Sequence, residues 1–143
     1  MIRAGVPGSL GTLNYYLEGY QGDGALFGLA KIGSDLNQDR NRQDLPSLES
    51  LTSSRFLTIR LGAMEAIRRI GDPASAPTLI QRLSDSDSTV RYVAVIALAE
   101  IFNRHGSYKP SMAEFRKRPD FYTREWQDWW AHEGASFQKP ASR

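Results

Sequence analysis

The stretch IRLGAMEAIRRIGDPASAPTLIQRLSDSDSTVRYVAVIALAEI, from Ile59 to Ile101, writes one helical pattern twice. Ile59, Ala63, Ala66, Ile67 and Ile70 recur at helical spacing, as do Val90, Ala94, Ala97, Leu98 and Ile101, so each segment has an apolar face to bury. Working outward, a third copy stands upstream. GALFGLAKIG from Gly24, GAMEAIRRIG from Gly62 and VAVIALAEIF from Val93 align with their small and large apolar positions in register, and their starts lie 38 and 31 positions apart. A period of that length signals stacked supersecondary units rather than one closed core.

A second motif alternates with the first. LPSLESL, APTLIQRL and KPSMAEF place proline at Pro46, Pro77 and Pro110, followed each time by apolar residues two and five or six positions on. VPGSLGTL, with Pro7, repeats this motif without a copy of the first ahead of it. Proline suits the first turn of a helix, where its missing N–H has no intrahelical partner, so each unit reads as a pair of helices. Small residues at Gly24 and Gly62, at Ala25, Ala63 and Ala94, and at Gly28, Ala66 and Ala97 let neighbouring helices approach closely, and Gly71 before Asp72 and Pro73 reads as a helix stop.

GDP leading into APTLIQRL, then the SDSDSTVR turn, then an alanine-rich helix resemble two consecutive units of the HEAT-like family of short bacterial repeats, the type also seen in phycocyanobilin lyase subunits. The resemblance is specific over residues 55 to 104 and weaker over 22 to 54. It implies an all-α, right-handed α-solenoid of about three HEAT-like helix pairs. It also implies a structural ladder between units formed by the acidic turn and the arginine after it, here Asp85 or Asp87 with Arg91. Arg60 occupies the matching place one unit earlier, where the turn LTSSR lacks the acid. Members of such a fold family bind many different partners, so the resemblance speaks to fold before function.

The chain reads as one domain, 1–143, with a partial unit at 6–20, repeats at 22–54, 55–85 and 88–118, and a cap at 120–134. Helices are expected over 7–18, 23–35, 46–53, 56–70, 75–84, 88–104 and 110–117. The polar segment SDLNQDRNRQD, 34–44, is longer than its counterpart GDPASA and accounts for the wider first period, reading either as a solvated loop or as a rim insertion that meets a partner. In DFYTREWQDWWAHEG, Asp120 is placed to cap a helix and Gly134 to stop it, while Tyr122, Trp126, Trp129, Trp130 and Glu133 share one side. These aromatics read as a structural lid on the last repeat rather than as a stacking platform for bases, because a repeat stack needs a polar-faced end. The amino end shows no such lid, and homodimerisation through the first predicted helix, at Leu10, Leu13, Tyr16 or Tyr20, is one way to cover it.

Composition narrows the chemistry. The 143 residues carry 18 basic and 16 acidic side chains for a net charge of +2, weak evidence for nucleic acid. No cysteine is present, which removes disulfides, thiolate metal sites and cysteine nucleophiles. No apolar run is long enough to span a bilayer, and a cytoplasmic protein without membrane attachment is expected. The two histidines, His105 and His132, stand in no spaced ligand set. His132 with Glu133 resembles one HE pair of the helical-repeat iron hydroxylases acting on deoxyhypusine, but those enzymes use several such pairs. GYQGDGALFG has neither the preceding strand nor the following GK[ST] of a phosphate loop. No catalytic set, metal or other cofactor is therefore expected.

The expected function is a non-catalytic protein-interaction module or scaffold. Its second helices, with Glu49, Gln81, Arg82, Glu114 and Lys117, would line the concave surface, joined by the basic group Arg116, Lys117 and Arg118. Two alternatives stand beside it: a small basic nucleic-acid-binding protein, and an accessory subunit of a bilin-lyase-type enzyme.

Overall fold

The computed structural model describes residues 35–104 and 106–134. Every regular element among them is helical, and the chain divides into two compact units, Met1–Ile70 and Gly71–Arg143. The described part of the first holds residues 35–37, in helix, a 3-10 turn at Arg42–Asp44, and helices α1 (Leu45–Leu51) and α2 (Leu57–Ile70). The second holds a 3-10 turn at Pro73–Ser75, α3 (Ala76–Arg82), α4 (Ser88–Ile101), a 3-10 turn at Gly106–Tyr108, α5 (Met112–Lys117) and α6 (Pro119–Trp129), which runs into a π-helical turn at Trp130–Gly134. The partial unit at 6–20, the first motif copy from Gly24 and the contact residues Leu10, Leu13, Tyr16 and Tyr20 lie outside the described residues.

α1 packs on α2, and α3 packs on α4, as two copies of one hairpin offset by 31 residues. Asn41 and Asp72 open them identically: each side-chain oxygen accepts the backbone N–H two residues on, at 2.9 Å, and starts the 3-10 turn. Leu48 and Leu79, Ile59 and Val90, Ala63 and Ala94, Ala66 and Ala97, and Ile67 and Leu98 are all fully buried. Apolar positions paired by the repeat thus share one environment, the physical content of the sequence period. Gly71, with φ of +69°, adopts the left-handed conformation that ends α2.

Several boundaries move from their expected places, each for a local reason. Pro46 and Pro77 occupy the first turns of α1 and α3, but Pro110 lies before α5, because Ser111 caps that helix. The Ser111 hydroxyl accepts the Glu114 N–H at 3.1 Å and the Glu114 carboxylate accepts the Ser111 N–H at 2.9 Å, a capping box. Asp120 does not cap α6. Pro119 opens that helix, Arg118 is its N-cap residue, and Asp120 stands one position inside the first turn, where a carboxylate complements the helix dipole. α4 ends at Ile101 rather than 104, since Asn103 turns to φ of +55° and the Arg104 N–H closes back on the Ala99 carbonyl at 2.8 Å.

Over its described residues the 34–44 segment is partly packed, with Arg40 to Gln43 exposed and three other residues turned inward. Leu36, Asp39 and Asp44 are buried. The Asp39 carboxylate accepts the Asn41 N–H at 2.8 Å, and Arg69 of α2 donates to the Asn37 carbonyl at 3.2 Å and to the Asn37 side-chain oxygen.

α4 is more enclosed than one apolar face requires. α3 packs on it and so does α6, and Val93, Val95 and Ala99 are buried along with Val90, Ala94, Ala97 and Leu98 of the expected stripe, while Ile101 is half-buried. The tail aromatics complete this packing. Trp126 and Trp129 are buried, Tyr122 and Trp130 half-buried, and Thr123, which the aromatic count passes over, is also buried. Trp126 lies edge-on to Tyr108 at 4.9 Å and donates its indole N–H to the Tyr108 carbonyl at 3.1 Å, while Trp129 meets Phe102 at 4.9 Å. The Arg104 guanidinium sits 5.5 Å from the Trp129 ring centroid and 3.6 Å from the Glu133 carboxylate.

Candidate functional site

The turn between α3 and α4 is built by its own polar residues. The Asp85 carboxylate accepts the Asp87 N–H at 2.9 Å and pairs with Arg82 at 3.4 Å; Asp87 caps α4 by accepting from Thr89 at 3.0 Å and Val90 at 3.2 Å. Arg91, one turn into α4, reaches back and donates to the Asp85 carbonyl at 2.7 Å. The earlier unit uses the same device without an acid. Arg60 donates to the Ser54 carbonyl at 2.9 Å, and the Ser54 hydroxyl accepts the Phe56 N–H at 3.1 Å in the role of the Asp85 carboxylate. Arginine to main-chain carbonyl is thus the shared contact, which closes a unit's own turn, and Asp or Ser supplies the second acceptor.

α6 runs past this turn and forms an open cleft of about 470 Å³ with it, lined by Leu83, Ser84, Asp85, Arg91, Asp120, Thr123, Arg124 and Gln127. The Gln127 amide donates to the Ser84 hydroxyl at 3.5 Å and joins the two walls. The Thr123 hydroxyl turns onto the Asp120 carbonyl at 3.2 Å. Asp120 and Arg124 stand four residues apart on one helix, both exposed. Such a cleft offers guanidinium, carboxylate, hydroxyl and amide groups to a polar ligand, with Leu83 as its one aliphatic lining residue.

Of the residues expected to matter, Asp85 and Arg91 meet in this cleft, with Arg82 held beside it through Asp85. Glu49 belongs to the first compact unit. Gln81, Arg116, Lys117 and Arg118 are exposed, none of them lines the cleft, and Glu114 is committed to the α5 capping box. The Arg118 guanidinium lies 4.1 Å from the Phe121 ring centroid. Ser84, Thr123, Arg124 and Gln127 were not marked out by the sequence: they come together only through the register of α6 against the α3–α4 turn, and no local motif encodes that. His105 lies outside the described residues, and His132 has its Nδ1 2.8 Å from the carbonyl of Asp128 on its own helical turn. Among the described residues no group of three or more His, Asp or Glu side chains could hold a metal ion, and no helix is long and apolar enough to cross a membrane.

The family model for HEAT repeats matches residues 25–126, from the first motif copy into α6. The chain belongs to the HEAT-repeat family. Its consecutive helix pairs are consistent with the expected α-solenoid, and HEAT repeats commonly mediate protein–protein interaction. No curated protein and no solved structure matches the chain.

Proposed function

We infer that this HEAT-repeat protein is a non-catalytic protein-interaction module or scaffold, a right-handed solenoid whose tail, 120–134, serves as its end cap, and that it works in the cytoplasm. Membership of the HEAT-repeat family over residues 25–126 carries the reading, since such repeats commonly join proteins to one another. The helices proposed to carry the partner surface bear exposed polar side chains, Gln81 on α3 and Arg116 and Lys117 on α5, and no large exposed apolar side chain of the kind an obligate interface buries.

The exposed basic group Arg116, Lys117 and Arg118 supports a second reading, nucleic-acid binding. Salt separates the two, because neutralising phosphates releases counterions and makes affinity fall steeply with ionic strength. The interaction-module reading expects little binding to duplex or single-stranded DNA at about 0.15 M salt, where the screening length is about 8 Å. It also expects a stoichiometric protein partner to co-purify with the chain from its source cell. Submicromolar nucleic-acid affinity with a steep salt slope, lost on alanine substitution of Arg116, Lys117 and Arg118 together, would move the assignment to the second reading.

A further inference from the structure

The cleft between the 83–85 turn and α6 holds more positive than negative charge open to a ligand. The Asp85 carboxylate is engaged by the Asp87 N–H and by Arg82, and the residue is only 8% exposed. Asp120 is the remaining carboxylate of the lining. Two guanidinium groups stand against it, Arg124 on α6 and Arg91 on α4. Arg91 commits one arm to the Asp85 carbonyl, which fixes the plane of the group at the wall, and no ion pair joins Arg91 or Arg124 to an acid among the described residues. A guanidinium held in this way offers its other N–H groups as a fork suited to a carboxylate.

The neutral groups narrow the ligand further. Ser84 and Gln127, both exposed, present a hydroxyl and an amide, partners for a main chain that brings its own N–H and C=O groups, while the Thr123 hydroxyl stays on the Asp120 carbonyl. A cleft of about 470 Å³ takes a few residues in extended form. Asp120 places a fixed negative charge at the wall, which weighs more heavily against a phosphate polymer than against a single carboxylate. The whole chain, at +2, supplies no strong field to offset it.

We propose that this cleft binds an extended acidic peptide segment of a partner protein, with a Glu or Asp carboxylate held by Arg124 and Arg91. The proposal rests on the interaction-module reading and gives that reading a site and a partner chemistry. Its test is selection of a random-peptide display library on the full chain, followed by fluorescence polarisation of the most enriched peptide against four variants. The enriched peptides should carry more Asp and Glu than the input library. Arg124→Gln should weaken binding about tenfold, the loss expected of a charge-assisted hydrogen-bonded pair. Asp120→Asn should strengthen it, a change of opposite sign on the same helix that a merely structural role would not give. Lys109→Gln, whose ammonium pairs with Glu100 at 3.4 Å outside the cleft, should leave affinity unchanged. Arg91→Gln also loosens the turn, so circular dichroism accompanies it, and the Arg124 and Asp120 variants decide without it. Enrichment without acidic bias, or acidic peptides that bind Arg124→Gln as well as wild type, would place the binding surface elsewhere and leave the module reading intact. Failure to enrich any peptide would overturn the cleft proposal, and together with tight, salt-sensitive binding of oligo-dT it would overturn the module reading as well.

Discussion

Arg60 and Arg91 stand one repeat apart and make the same contact, each to the carbonyl six residues behind it, at 2.9 and 2.7 Å. A hydrogen bond from a charged donor to a part-buried carbonyl contributes about 1.5 to 3 kcal/mol. Arg91→Met keeps most of the aliphatic stem but removes the donor, and should lower stability by about that amount. Arg60→Met should cost a similar amount, although its turn has no acid, and chemical denaturation of both variants compares them directly. A large loss at Arg91 beside none at Arg60 would show that the Asp85 carboxylate matters more than the carbonyl. Gly134 is a second single-residue constraint: a Cβ there would fall 2.3 Å from the Trp130 ring. Gly134→Ala should therefore destabilise by about 1 to 3 kcal/mol through displacement of the indole, read as a lower denaturation midpoint.

At the scale of the element, α4 shows what a helical period can and cannot reveal. Its apolar stripe, Val90, Ala94, Ala97, Leu98 and Ile101, was legible because a helix facing one neighbour leaves a 3.6-residue signature. Sequence spacing alone would leave Ala99 on the outer side, yet it is 1% exposed in a helix on which both α3 and α6 pack. Leucine at Ala94, Ala97 or Ala99 should therefore destabilise in each case, by about 1 to 3 kcal/mol, from overpacking. Thermal melts of the three variants test this, and a silent Ala99→Leu would mean that α6 can move aside. The hairpins, their period and the buried face of the tail were thus readable, since propensity, spacing and burial agree there. The cleft was not: it depends on how α6 registers against a turn some forty residues earlier in the chain, and Gln127 meeting Ser84 across that separation has no local signature. Cap positions also escaped, as at Asp120, where Pro119 and Arg118 took the helix start instead.

For the molecule as a whole, the tail supplies Trp126, the bulkiest fully buried side chain among the described residues. A chain ending at Arg118 loses Trp126 and Trp129, both buried, and truncating such a residue costs roughly 3 to 5 kcal/mol. The shortened chain should melt at a lower temperature and self-associate in sedimentation experiments. An unchanged melt in a monomer would show that the tail contributes no cover, and would favour an exposed aromatic role for it. The tail also makes the protein its own optical reporter. All three tryptophans of the chain, Trp126, Trp129 and Trp130, belong to it, two of them sealed from water and one giving its N–H to the Tyr108 carbonyl. Indole emission moves to longer wavelength when the ring meets water, so the colour of the intrinsic fluorescence tracks docking of this one segment, while far-ultraviolet dichroism follows every helix. Divergence of the two signals during heating would time the release of the tail against the loss of the repeats, with no label attached.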